Sequence, residues 1–534
     1  MKNPVYGLSL TCLLVLTAIS GCTSGTRDND RNHGRAYYVS LDGDDLGRGS
    51  QRHPWRSIEK VNATVFTEGD AVYFEGGSTF NGMIRLDSLD SGSEGANLLI
   101  GSYGKGRAVI NGGAGEGLLA VGCDHLQLKD LVFTGAGRKE GNTTDGVFIT
   151  GARNLVISNI EISGFQHSGL HVQSSSNVHI EGVYAHDNGF AGIHVTGKTM
   201  NHPALYENEN LYIGYCVAES NPGDPTVERG HSGNGILASS VRGGTIEYCE
   251  AFNNGWDMPW TGNGPVGIWI WDCTDFVIQY CISHDNKTNP VAADGGGFDF
   301  DGGVSNSVLQ YCLSYRNQGA GIGLFEFGAA KPWENNIVRY NVSHNDGLIN
   351  AGSLAIWRNE DGGTMRNCEI YNNTFYNDTI KGLSLWIYNN WPGFNFRNNI
   401  FVYRGSFLFP GQKLVDEVFQ ANCYWNLAGN AGIAGYKDLA DWAEATGNEM
   451  IGGNIVGLYA DPRLQNPGSY TLTDPDKITP ENLAGYSLKP GSPLIDRGLD
   501  LKNLFGIDPG GRDLAGTVIP QGKGFDIGAI ERLK

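Results

Sequence analysis

The strand phrases TDGVFIT (144–150), HSGLHVQ (167–173) and FAGIHVT (190–196) decide how this chain folds. Each is a small residue followed by alternating apolar and polar side chains, the period-two pattern of a strand with one buried face. The glycines at 146, 169 and 192 stand 23 residues apart twice. The phrase returns as GNGILAS (233–239), PVGIWIWD (265–272), GGGFDFD (295–301), GAGIGLFE (319–326), GSLAIWR (352–358) and KGLSLWI (381–387). Short strands recurring at this period, with no helical spacing between them, predict an all-β fold, a right-handed parallel β-helix in which each coil covers its neighbours. Longer steps, such as Gly192 to Gly235, leave room for loops like KTMNHPALYENEN (198–210).

Two side-chain ladders support the register. Cys216, Cys249, Cys281 and Cys312 share one slot, continued by Asn341 and Asn373. Five residues after each cysteine come Asn221, Asn254, Asn286 and Asn317, with Asp346 next in line. Coils about 4.8 Å apart would stack these side chains. The cysteines are expected as packed thiols rather than disulfides or zinc ligands, and the asparagines as a turn-stabilising ladder.

The chain has 534 residues, 78 of them glycine without a collagen-like period, which suits a solenoid with many turns. Its formal charge of −19, from 57 acidic against 38 basic residues, opposes binding to nucleic acid or an anionic membrane surface. The first residues, MKNPVYGLSLTCLLVLTAISGC, read as a secretory signal. Their Ile19-Ser20-Gly21-Cys22 ending resembles the bacterial lipobox, which implies cleavage before Cys22, lipidation of its thiol and attachment at the cell envelope. The expected organisation is signal peptide 1–21, flexible tether 22–36, N-terminal cap and first coils 37–114, main β-helix 115–410, and last coils with a C-terminal cap 411–534.

The opening YYVSLDGDDLGRGSQRHPWRSIEKV (37–61) with GDAVYFEGG (69–77), and the closing LKPGSPLIDRGLD (488–500) with GKGFDIGAIE (522–531), carry a resemblance. They are similar to the terminal segments of secreted carbohydrate-active β-helix proteins of the pectate-lyase-like superfamily. The resemblance implies the fold and an action on glycans, but one fold hosts lyases, hydrolases, epimerases and adhesins.

Alternation assigns the faces. Val147/Ile149, Leu170/Val172, Ile193/Val195, Ile268/Ile270, Phe298/Phe300, Ile322/Leu324, Leu354/Ile356 and Leu383/Leu385 are expected to point inward. One outward column then reads Phe148, His171, His194, Leu237, Trp269, Asp299, Gly323, Ala355, Ser384. Its neighbour reads Thr150, Gln173, Thr196, Ser239, Trp271, Asp301, Phe325, Trp357, Trp386. A water-facing strip this rich in rings suits stacking on the C–H faces of a glycan, with Asp294, His171, His194, Trp269, Trp271, Phe325, Trp357, Arg358 and Trp386 as candidate substrate contacts.

Within VAADGGGFDFDGG (291–303), Asp299 and Asp301 lie on one strand face with Cα atoms about 6.6 Å apart. Glu326 is expected from the adjoining coil and Asp294 from the turn leading in. Crowded carboxylates raise one another's pKa and supply a protonated acid beside an ionised base, as glycoside hydrolysis requires. The expected activity is therefore a secreted, monomeric glycoside hydrolase needing no cofactor, with Asp299, Asp301 and Glu326 as its catalytic set and an oligo- or polysaccharide as partner. The alternative is a lyase or C5-epimerase holding Ca2+ on Asp294, Asp299 and Asp301. The segment resembles family 9 pectate lyases in its Ala293-Asp294-Gly295, but Asp301 or a neighbour stands where that family has its base lysine, leaving Lys287 and Arg358 as substitute bases. A further alternative is a non-catalytic glycan-binding β-helix.

Overall fold

A computed structural model describes residues 34–359, 363–388, 391–469 and 472–533. The signal peptide, Cys22 and most of the expected tether lie outside the described residues. The chain is a right-handed parallel β-helix, and each regular coil contributes three strands. In one coil these are Ser168–Gln173, Ser176–Glu181 and Tyr184–His186, and the next coil begins at Ala191–Thr196. Stacked coils make three parallel faces. The first two are joined where Asn234–Glu247 and Val266–Gln279 run through both, and the third is a separate 14-stranded sheet.

The expected register of the first face holds from Val147 to Ile356. Val147 pairs with Leu170, Leu170 with Ile193, Ile268 with Phe298, Phe298 with Ile322 and Ile322 with Leu354, and all are buried. The last step differs by two residues. Leu385 pairs with Leu354, and Trp386, not Ser384, continues the column of Ala355. Ser384, fully buried opposite Ser353, fills the small-residue slot, while Gly382 belongs to the preceding turn, where it donates to the Thr379 carbonyl.

The two ladders form as expected. Cys216, Cys249, Cys281 and Cys312 are buried free thiols. Asn188, Asn221, Asn254, Asn286 and Asn317 each donate a side-chain amide N–H to the side-chain oxygen of the next coil, the last to Asp346 Oδ1. Before each of those four cysteines stands a left-handed tyrosine at 215, 248, 280 or 311. Bulky residues avoid that backbone region, and here ring stacking at 5.0–5.1 Å along the four compensates.

The ends are closed as an open solenoid core requires. Helix Ile58–Asn62, capped by Ser57, lays Ile58 and Val61 on the first coils. Helix Leu439–Thr446 places Trp442 over Phe419 and Tyr424 at the other end. The C-terminal segment then returns along the third face and its corner with the second, where Tyr315 of the third face and Tyr371 at the end of a second-face strand donate to the carbonyls of Leu472 and Asp508. The first face is left to the inserted loops.

Candidate active site

Strand Gly296–Phe300 carries the acids. Phe298 and Phe300 fill the core, which turns Asp299 outward. Asp299 is nonetheless only 3% exposed, and its Oδ1 is buried without a hydrogen-bond partner. Gly323 on the next coil makes room for it, since a Cβ there would come within 3.0 Å of that oxygen. Asp301 follows the strand, partly exposed, its Oδ1 accepting from the N–H of Gly302 at 2.8 Å. Asp294 sits in the left-handed turn before the strand, also partly exposed. Its Oδ2 accepts from Gly264 N–H at 2.9 Å, and Asn350 donates to its carbonyl at 3.1 Å.

Burial raises all three acids, and the negative field of other carboxylates adds to it for Asp299 and Asp301. Asp294 is pushed up to about 6 by burial, against the opposing Gly264 bond. Asp301 is pushed up to about 7 by burial and by Asp294 and Glu326. Asp299 rises well above the carboxylate range through burial and its two neighbours. Three carboxyls held above the usual carboxylate range within one strand and its turn share protons as a group, with Asp299 and Asp301 titrating as a coupled pair.

Glu326 is not part of this group's open surface. Alternation from Ile322 turns it inward, and it is fully buried. Its Oε1 accepts from Gly328 and Ala329 at 2.7 and 2.6 Å, and its Oε2 from Gly303 at 3.2 Å. It ties the turn after Asp301 to the turn of the next coil. Arg358 pairs with Glu326 in register, and its guanidinium lies 5.4 Å from the Trp391 ring centroid. Lys287 donates to Asn253. Neither expected substitute base figures in the shifts of Asp299 or Asp301.

The tryptophans flanking the acids correct the expectation of an open strip. Trp269 and Trp271 are 3% and 8% exposed, packed with Leu237, Val266 and Phe190. Inserted loops cover them. His231 stands edge-on to Trp269 at 4.8 Å, Trp269 donates to Asn234 Oδ1, and Phe327 lies across Trp271 at 5.7 Å. They form side walls of the acid site and present little flat face to solvent. On the far side Phe325, Trp357 and Trp386 remain partly exposed. Toward the N-terminus Phe148, His171 and His194 stack at 4.7 and 4.6 Å, with His171 Nδ1 2.9 Å from Asp145 Oδ2. Burial keeps His194 neutral by lowering its pKa.

Several wall residues escaped sequence reading. Asn234 and Asp145 stand immediately before the repeat glycine, as Gly296 does in the acid-bearing strand, a slot from which they bond the outward Trp269 and His171. His231 and Phe327 lie in insertions that no period marks. Lys331 pairs with the buried Asp272 and donates to the Leu205 carbonyl, binding loop 327–332 to loop 198–207. The expected calcium ligands Asp294, Asp299 and Asp301 do not make a cation set: among the described residues no three His, Cys, Asp or Glu side chains are grouped to hold a metal.

The family model described as Pel9A-like, right-handed beta helix region, matches residues 37–359. Lacto-N-biosidase of Bifidobacterium longum subsp. longum is 24% identical over 483 residues, covering 69% of this chain and 29% of that protein. The chain thus spans less than a third of the length of that curated relative. Among solved structures, the GH136 lacto-N-biosidase of Eubacterium ramulus aligns with a TM-score of 0.48 at 18% identity, over 73% of this chain and 67% of that one. Pectate lyase Pel9A aligns with a TM-score of 0.43 at 17% identity, over 94% and 98%.

Proposed function

The chain belongs to the Pel9A-like right-handed β-helix family, and from that premise we propose that it is a glycoside hydrolase acting on neutral glycans through Asp294 and Asp301. The observation that carries the reading is geometric: two partly exposed carboxyls, Asp294 and Asp301, stand before and after a buried Asp299 whose Oδ1 has no partner, and burial raises all three. A proton donor and an ionised carboxylate at one pH are the two groups that glycosidic cleavage needs. Asp301, holding its proton longer, donates it to the leaving oxygen. Asp294, ionised first, activates water or attacks the anomeric carbon. Asp299 keeps its proton and, with its otherwise unpartnered oxygen, is poised to bond a sugar hydroxyl or a water.

A lyase reading is less well supported. Proton abstraction beside a uronate carboxylate needs a strong base and a cation to neutralise the substrate's charge, whereas this site gathers carboxylates and would repel a uronate. The relative bearing a glycosidase's name over 69% of this chain also favours hydrolysis. The glycan partner, the monomeric state, and export with lipid attachment through Cys22 belong to the same proposal. Loss of fatty-acid labelling in Cys22→Ala would support the anchor, and labelling unchanged in that variant would remove it.

The test is a panel of neutral oligosaccharides with pectate and alginate added, assayed against Asp294→Asn, Asp299→Asn and Asp301→Asn. Asp294→Asn and Asp301→Asn should lose about 10²–10⁴-fold in rate, the range for a removed acid or base. Asp299→Asn, an isostere of the protonated acid, should lose far less. Full activity in both outer variants would overturn the assignment.

A further inference from the structure

The structure assigns a second, distal glycan-binding site at the C-terminal end of the first face, in a cavity of about 670 Å³ between strand Ser406–Leu408 and the turn at Ile433–Tyr436. This inference rests on the glycosidase reading for its ligand class. The cavity falls within the size range of sugar and small-molecule sites. Its floor holds Phe407 and Trp442, both buried, while Phe409 and Tyr436 at its rim are 44% and 36% exposed. Asn426, Asn430 and Gln412 add amides to its lining. Exposed rings beside amides match a pyranose, which offers flat C–H faces and peripheral hydroxyls.

What identifies the occupant is continuity with the acid site. In the outward column Asp299 is followed by Gly323, Gly323 by Ala355 and Ala355 by Trp386. Leu385 pairs with Leu408, so the residue in register with Trp386 is Phe409. Four coil steps of about 4.8 Å put Phe409 about 19 Å from Asp299 along the helix axis. Between them the face carries Phe325, Trp357 and Trp386, then Tyr388, 41% exposed and stacked on Trp386 at 6.4 Å. Gln412 Oε1 accepts from the Ile387 N–H at 2.9 Å, so the cavity rim is fastened to the strand that carries Trp386. A chain cleaved between Asp294 and Asp301 can therefore extend over these rings into the cavity. The ligand class is a neutral oligosaccharide several units long, with its far end at Phe409 and Tyr436.

The experiment is calorimetric titration of Asp301→Asn protein with xylo-, cello-, chito- and galacto-oligosaccharides of two and six units, repeated with Phe409→Ala and Tyr436→Ala added. For the series that binds, the six-unit sugar should bind more tightly than the two-unit sugar. Each added substitution should cost it at least fivefold, about the value of one stacking contact, while two-unit affinity changes less than twofold. Thermal melts check that the variants are folded, and a crystal soaked with the six-unit sugar should show it between Phe409 and Tyr436. Equal affinity for both lengths, an unchanged six-unit affinity in both variants, or no binding by any series overturns the inference. Turnover retained by Asp301→Asn would instead sink the catalytic assignment, and length-dependent binding lost with Phe409 would survive it.

Discussion

The backbone N–H of Gly264 donates to Oδ2 of Asp294 at 2.9 Å, joining the turn before the acid-bearing strand to loop 256–265. A Cβ at Gly264 would meet the Ala293 carbonyl oxygen at 2.3 Å and Thr288 Oγ1 at 2.4 Å, so only glycine brings that N–H so close. An N–H donated to a carboxylate favours the charged form. Gly264→Ala should displace the loop, raise the pKa of Asp294 above about 6, and move the acid limb of the pH–rate curve upward with a loss of about tenfold or more in rate at pH 6. An unmoved limb would show that this bond does not tune the acid.

The whole pH–rate profile follows from the same groups. Activity should rise as Asp294 loses its proton through about 6 and fall as Asp301 loses its proton through about 7, giving a narrow bell between them. Initial rates from pH 4 to 9 on the best panel substrate check it. A curve still rising at pH 9 would point to a strong base of the lyase kind.

Glu326 should matter to the fold more than to proton transfer. Its two oxygens accept three backbone N–H bonds from Gly303, Gly328 and Ala329. Glu326→Gln replaces one acceptor by a donor facing an N–H and should cost about 1–3 kcal/mol in stability, the price of an unsatisfied buried group. Denaturant unfolding measures this. Rates in the folded fraction should retain the bell shape.

Asp346 ends the asparagine ladder as a buried carboxyl raised to about 6. A carboxyl whose folded pKa is raised contributes stability that is fully present below its unfolded value and lost as pH rises through the folded one. Unfolding free energy should therefore fall from about pH 4 to about pH 7, with Glu449 and Glu531, each at about 7, acting in the same sense. In Asp346→Asn the amide can still accept from Asn317 at Oδ1 and can donate to the Ser343 hydroxyl. That variant should match the parent below about pH 4 and exceed it by roughly 2–3 kcal/mol at about pH 7 and above.

The solenoid and its ladders were legible because strand alternation and coil spacing are properties of the local chain. Phe298 and Phe300 had to point inward once Asp299 pointed out, and Cys216 through Cys312 had to stack once their spacing matched the coil. The two-residue slip at Leu385 was not legible, because Gly382 serves a turn there that looks like the start of a strand. Nor was the covering of Trp269 and Trp271, since His231 and Phe327 reach them from insertions outside any repeat. Glu326 misled for a simpler reason. An acid at the end of a strand can turn back to the backbone, and this one finds three N–H groups there.

The most direct measurement is cleavage in oxygen-18 water of whichever panel glycan is turned over, with products weighed by mass spectrometry. Hydrolysis by this acid pair predicts one heavy oxygen per bond broken by the wild-type protein, and next to no product from Asp294→Asn or Asp301→Asn. Unlabelled products carrying an unsaturated uronate, or labelled product formed at full rate by both variants, would contradict it.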